Sequence, residues 1–150
     1  MRRTDRQLER SESLQIIDSA DHGVLSTVSP DGQPYGVPLN HVRVGGELIF
    51  HSAMEGHKLQ NIAFNDRASF CVVGDTEVLP DQFTTNYESV IVFGRVRSIE
   101  GEDKLEALRA LIKRYGPPGS NKGEKYIDSL HQKTTVLALT MDHISGKARR

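Results

Sequence analysis

Apolar residues fall along this chain in two rhythms, and the switches between them mark out its elements. Leu8, Leu14, Ile16, Ile17 and Ala20 recur at an imperfect helical spacing, which predicts a helix from Asp5 to Ala20. His22 to Val28 reads as a strand and ends at Ser29-Pro30-Asp31-Gly32, a strong turn signal. Tyr35 to Val44 reads as a second strand. Pro38 inside it cannot donate to a ladder, so an edge or a bulge is expected there. Gly45-Gly46 forms a hairpin turn into a third strand, Glu47 to Ser52. A helix is expected from Gly56 to about Asn65, and a fourth strand from Ala68 to Gly74. Asp75 to Thr85 has no clear period and contains Pro80, so it reads as a long loop of the kind that often carries function. Tyr87 to Ile99 is a long β-branched strand in which Gly94 marks a bend or barrel corner. Leu105, Leu108, Leu111 and Ile112 share one face of a helix from Asp103 to Tyr115, which Gly116-Pro117-Pro118-Gly119 stops. A short helix over Glu124 to Leu130 and a last strand over Thr134 to Met141 complete the series. Hairpins dominate and helices sit at the ends, so the expected fold is mainly β: a mostly antiparallel barrel with accessory helices.

The bulk properties narrow the classes of function. A chain of 150 residues suits one domain, 1–150, with a real core. A net charge of -1 argues against nucleic acid as the main partner and leaves Lys147-Ala148-Arg149-Arg150 as a solvated basic tail. No apolar run approaches the ~20 residues of a membrane span, and no apolar segment follows Met1-Arg2-Arg3-Thr4-Asp5-Arg6. Neither a membrane partner nor a signal peptide is expected. Cys71 is the single cysteine, set in the apolar run Ser69 to Val73. It suits a reducing, cytoplasmic setting and reads as a buried inert thiol.

The chemistry concentrates in Phe50-His51-Ser52-Ala53-Met54-Glu55-Gly56-His57-Lys58. A helix N-terminus carries free N–H groups and the positive end of a macrodipole, so cations there are unfavourable unless an anion joins them. His57 and Lys58 stand at that end, and a phosphate resolves the conflict. The bland alternative is a pair of solvated helix residues. His41, His51 and His57 raise the question of a metal, but no His-x-x-x-His helix or cysteine pair supports one. Ser26, Thr27 and Ser52 show no triad partner by spacing and read as hydrogen-bonding hydroxyls.

Four segments resemble the FMN-binding split barrels related to pyridoxamine 5′-phosphate oxidase, and within them the nitroimidazole-resistance branch. They are Gly32-Gln33-Pro34-Tyr35-Gly36-Val37-Pro38-Leu39-Asn40; Phe50-His51-Ser52-Ala53 with Gly56-His57-Lys58; Glu88 to Val96; and His143-Ile144-Ser145-Gly146-Lys147. Met1-Arg2-Arg3 also looks like that branch. The resemblance implies a six-stranded split barrel and a homodimer with FMN at the subunit interface. It implies that His57 and Lys58 hold the FMN phosphate and that Val37, Pro38, Leu39 and Asn40 flank the flavin ring. His51 and Ser52 would lie beside phosphate and ring, Ser89 would contact the cofactor, and Lys147 could reach flavin or a substrate anion.

Two departures bear on the reaction. The oxidases carry an arginine where this chain has Val37, and a C-terminal tryptophan and arginine, whereas this chain has no tryptophan. Pyridoxamine phosphate oxidation is therefore a secondary alternative. The leading expectation is an FMN-dependent oxidoreductase, taking electrons from a nicotinamide donor, NAD(P)H, to a small nitroimidazole or nitroaromatic acceptor. His51 is the catalytic candidate, because an imidazole titrates near neutrality and can deliver the proton that accompanies hydride transfer. The rival is a non-catalytic carrier of flavin, heme or deazaflavin on the same fold. Phe83 and Tyr87 are expected either on the substrate side of the flavin or in a dimer core.

Overall fold

A computed structural model describes residues 3–117 and 122–150. Met1, Arg2, Pro118 and Gly119, to which the N-terminal resemblance and part of the helix stop were assigned, lie outside the described residues. The strands are β1 (His22–Val28), β2 (Pro34–Asn40), β3 (Val42–Val44), β4 (Glu47–Ser52), β5 (Arg67–Leu79), β6 (Thr84–Ile99), β7 (Thr135–Thr140) and β8 (His143–Arg149). The helices are α1 (Arg10–Ser19), α2 (His57–Phe64), α3 (Gly101–Tyr115) and α4 (Lys122–Leu130). All strand pairs are antiparallel, in the order β2-β1-β5-β6-β7-β4-β3, with β8 added on β6. This is the expected mainly β split-barrel class, with eight strands rather than six.

The extra strands have local causes. The expected strand Tyr35 to Val44 breaks at His41, whose side chain turns inward and is fully buried, giving β2 and β3. The expected loop Asp75 to Thr85 is mostly a hairpin: Thr76, Glu77, Val78 and Leu79 pair with Tyr87, Asn86, Thr85 and Thr84. Only Pro80–Gln82 forms a short 3-10 turn, followed by Phe83 in the left-handed region at φ 49. The C-terminal tail is not a free basic patch but β8, paired from Phe93↔His143 to Tyr87↔Arg149. It also takes up the N-terminal segment, since Leu8 N–H donates to Gly146 O at 3.1 Å and Gln7 bridges Lys147. With those residues extended, α1 starts at Arg10 rather than Asp5, where the Glu9 N–H donates to Glu12 Oε2 at 3.4 Å.

The barrel interior holds Leu25, Leu48, Phe50, Phe70, Val72, Val90, Val92, Leu137 and Leu139, all fully buried. Phe50 and Phe70 meet with ring centroids 4.9 Å apart, a favourable tilted contact. A second cluster of Ile49, Ile99, Ala107, Leu111, Val136 and Ala138 forms where α3 covers β4 and β7. Two covered faces explain why β7 is buried at five successive positions instead of alternating.

The outer face of β1, β5 and β6 is different. Val24, Cys71 and Ile91 are neighbours across three strands. Val24 is 40% exposed, Ile91 37%, Phe93 46% and Val73 61%, so this face presents a contiguous apolar surface to solvent. Cys71 is half-buried there rather than fully buried, and its burial pushes the thiol above its ordinary range.

β6 joins the two halves. Its residues Tyr87 to Phe93 pair with β8 and Val96 to Ile99 with β7, so the strand changes partner at Gly94. A Cβ at Gly94 would overlap the Thr140 carbonyl oxygen at the end of β7. Gly94→Ala therefore forces backbone apart, and is expected to destabilise the fold by about 1–3 kcal/mol or more. Urea unfolding of the variant measures this, and an unchanged midpoint would show that the crossing can open freely.

Candidate functional site

The start of α2 carries the two basic residues His57 and Lys58 in its first turn. Gly56, the N-cap, adopts φ 140, which glycine alone takes without strain. No side chain caps the helix, and no acidic residue lies in its first turn. Lys58 is half-buried and His57 exposed. The Ser29 hydroxyl lies 3.3 Å from His57 Nε2, and the Tyr35 ring packs on the imidazole with centroids 4.4 Å apart. Ser29 and Tyr35 were not singled out in the sequence, where Ser29 marked only a turn. The helix is fixed to β1 from below, by the buried Asn61 Nδ2 donating to Thr27 Oγ1 at 3.0 Å. Free N–H groups, two basic side chains and a hydroxyl at one helix start suit a phosphate monoester.

The residues on β2 divide by strand alternation. Val37 and Leu39 are half-buried against the barrel core, while Pro38 and Asn40 are exposed. Pro38, Leu39, Asn40, His51 and His22 line one groove of about 340 Å³. His51, the exposed position of β4, thus meets three of the four β2 residues, and Val37 does not line that groove. Ser52 is buried and its hydroxyl donates to the Ala53 carbonyl at 3.0 Å. Ser89 and Lys147 face each other across β6 and β8 and do not line that groove. Lys147 lies 5.6 Å from the centre of the Tyr87 ring, and its hydrogen bond holds the Tyr87 hydroxyl below its ordinary range. One copy of the chain therefore carries three separate groups: the α2 start, the β2–β4 groove and the β6–β8 pair.

The groove wall depends on His41 and Tyr115. The Asn40 amide donates to Asp21 O at 2.9 Å. The Tyr115 hydroxyl accepts from the His41 N–H at 3.1 Å and shares its proton between the carbonyls of His41 and Asp21. A second, larger cavity of about 480 Å³ opens behind this wall, between α3, α4 and the end of β4, and shares Asn40 and His51 with the groove. Among the described residues, no cluster of three or more histidine, cysteine or acidic side chains could hold a metal. No helix among them is long and apolar enough to cross a membrane.

The strand order, with its curled antiparallel sheet and accessory helices, defines a split-barrel protein. The family description "Pyridoxamine 5′-phosphate oxidase" matches residues 9–148, and the chain belongs to that family. No curated protein matches it in sequence. Among solved structures, a candidate 5-nitroimidazole antibiotic resistance protein from Bacteroides thetaiotaomicron superposes with TM-score 0.81 at 23% identity, over 95% of this chain and 86% of that one. A conserved hypothetical protein from Mycobacterium tuberculosis gives 0.84 at 19% identity, covering 99% and 89%. An FAD and heme binding protein from Mycobacterium smegmatis gives 0.79 at 24% identity, covering 97% and 74%.

His41, next to the groove residue Asn40, is fully buried. Its Nε2 lies 2.8 Å from Ile17 O, and a carbonyl only accepts, so Nε2 carries the proton. Nδ1 is buried without a partner among the described residues. Desolvation lowers the pKa of this ring, opposed by the Ile17 hydrogen bond and reinforced by Arg114. A histidine with a depressed folded pKa contributes stability that is full above its unfolded value of about 6.5 and is lost as pH falls below it. The urea midpoint should therefore drop from about pH 7 to pH 5 in the parent, and His41→Gln should flatten that drop. Parallel profiles for the two proteins would remove His41 as the cause.

Proposed function

We propose that this chain is an FMN-dependent oxidoreductase that carries electrons from a nicotinamide donor to a small electron-poor acceptor of the nitroimidazole or nitroaromatic type. The observation that carries the reading is the start of α2, uncapped and bearing His57 and Lys58, close in sequence to the groove residue His51. When bound, FMN would supply the hydride chemistry, and the protein would supply its orientation and charge environment. His57, Lys58 and the Ser29 hydroxyl would hold the phosphate. Pro38, Leu39 and Asn40 would line the ring, with Ser52 near it. The net reaction puts two electrons and two protons into a nitro group, forming a nitroso compound and water. The nicotinamide donor would provide a hydride, and His51 would relay the remaining proton from solvent.

Two substitutions separate binding from chemistry. Lys58→Ala should weaken FMN by about 1.5–3 kcal/mol, the range for a hydrogen bond to a charged group, and should leave riboflavin affinity little changed. His51→Ala should keep FMN bound but slow reoxidation of the reduced protein by a nitroimidazole about 10²–10⁴-fold, the usual contribution of a general acid. Calorimetry and rapid mixing read the two effects. Equal FMN affinity in Lys58→Ala would remove that residue from the site, and unchanged reoxidation would reduce His51 to a lining residue. The rival is a flavin or heme carrier, which the description of the Mycobacterium smegmatis neighbour supports. The absorption spectrum of the purified protein distinguishes flavin from heme, and steady-state oxidation of NAD(P)H distinguishes enzyme from carrier.

The working form in this reading is a homodimer in the cytoplasm. The apolar face of Val24, Val73, Ile91 and Phe93 needs a cover, and a two-fold partner provides the same face in return. A partner would also let Ser89 and Lys147 of one copy serve the site of the other. Sedimentation at micromolar concentration should give a dimer, and Ile91→Lys should shift it toward monomer with loss of FMN affinity. A monomeric parent that binds FMN tightly would overturn the shared site.

A further inference from the structure

The cavity behind the groove has a chemical character of its own. Its walls are Leu108, Leu111, Ile112 and Ile127, with the rings of Tyr115 and Tyr126. Leu111 and Ile127 are buried, whereas Tyr126 is 61% exposed and stands at the rim. At about 480 Å³ it lies within the ~300–1,000 Å³ range of small-molecule sites, which are mostly apolar with a few placed polar groups. Those polar groups are specific here. His131 Nδ1 lies 3.0 Å from Ile127 O, and a carbonyl only accepts, so Nδ1 carries a proton and Nε2 is the ring nitrogen left for a ligand. The Tyr115 hydroxyl is spent on the backbone of Asp21 and His41, so it offers the cavity its ring rather than a free donor. Lys122 is exposed and already engaged, so it is not a free charge waiting for an anion.

We propose that this cavity is a binding site for an uncharged aromatic molecule bearing one hydrogen-bond donor, and that His51 and Asn40 connect it to the β2–β4 groove. An anion would lose its hydration against aliphatic walls without gaining a buried partner, which is costly. A flat ring finds two tyrosine rings and a slot between two helices, and aromatic contacts of this kind add to simple burial. A ligand N–H or O–H can be accepted by His131 Nε2. The shared residues place the occupant next to the groove, so the site would serve the acceptor of the reaction proposed above. That use rests on the flavin reading, whereas the ligand preference stands on the cavity alone.

The test uses the full chain, with and without FMN, and three fluorescent or calorimetric probes: naphthol, its carboxylate analogue naphthoate, and saturated decahydronaphthol. Naphthol should bind the FMN-free protein about tenfold or more tightly than either of the others. Leu108→Trp, which fills the cavity from α3, should lose naphthol binding, and His131→Phe, which removes the acceptor, should weaken naphthol and decahydronaphthol alike by several-fold, since both carry the O–H. Tyr126→Ala at the exposed rim serves as a second variant that leaves the core untouched, and it should also weaken naphthol. Tighter binding of naphthoate, equal binding of decahydronaphthol, or full naphthol affinity in a folded Leu108→Trp protein would each overturn the proposal. If naphthol binds as expected and FMN does not bind at all, the cavity stands and the flavin reading falls.

Discussion

β6 belongs to both halves of the barrel, and it can do so because only a hydrogen atom stands at Gly94. The Thr140 carbonyl fills the space a side chain would take, so the end of β7 seats directly on the β6 backbone. On one side of that point β6 pairs with β8, and on the other with β7, while β5 runs along most of its length. Every later feature follows from this crossing. It lets β7 reach β4, it sets β4 beside the β2 end, and it brings His51 to the groove that β2 lines. One face of β1, β5 and β6 stays without cover, since α1 joins the interior cluster through Ile16 and Ile17 and α3 covers β4 and β7.

The candidate site relies on a local electrostatic conflict held in place by distant packing. Basic side chains at the positive end of a helix dipole are unfavourable by themselves. Here nothing in the first turn of α2 offsets them, and Asn61 and Thr27 tie the helix to β1 so that it cannot move away. A phosphate at that point would satisfy the dipole, both side chains and the free N–H groups together. The β2–β4 groove is a separate group, in which Pro38, Leu39 and Asn40 meet His51 of β4, with His22 of β1 paired beside Asn40.

α3 links this groove to the larger cavity behind it. Its last residue, Tyr115, hydrogen-bonds the β2–β3 junction through the backbone of His41, and its ring also lines the cavity. A change in one compartment is therefore mechanically connected to the wall of the other. His41, buried and neutral, sits at the centre of that wall, packed with its ring 4.9 Å from Phe70.

What could be read from the residues in order was whatever depends on near neighbours. The strands His22–Val28 and Glu47–Ser52 lie within the bounds that their local pattern sets. The helix start at Gly56 was legible because glycine and two basic residues are adjacent in the chain, and Gly94 announced a corner by interrupting a β-branched run. The Asp75 to Thr85 segment was not legible as strand, because its exposed residues have no burial period and are strand only by pairing with each other. β8 was hidden for the same reason: Ser145, Gly146 and Lys147 carry no apolar rhythm, and the edge of β6 gives them their structure. The contacts of His57 with Ser29, 28 residues away, and with Tyr35 arise from the β1–β2 hairpin folding over α2. The cavity between α3 and α4, and the separation of Ser89 and Lys147 from His51, likewise depend on how sheets and helices stack. Local composition determined most of the elements and the basic helix start, and long-range pairing and packing decided the remaining strands and which of the candidate residues share a space.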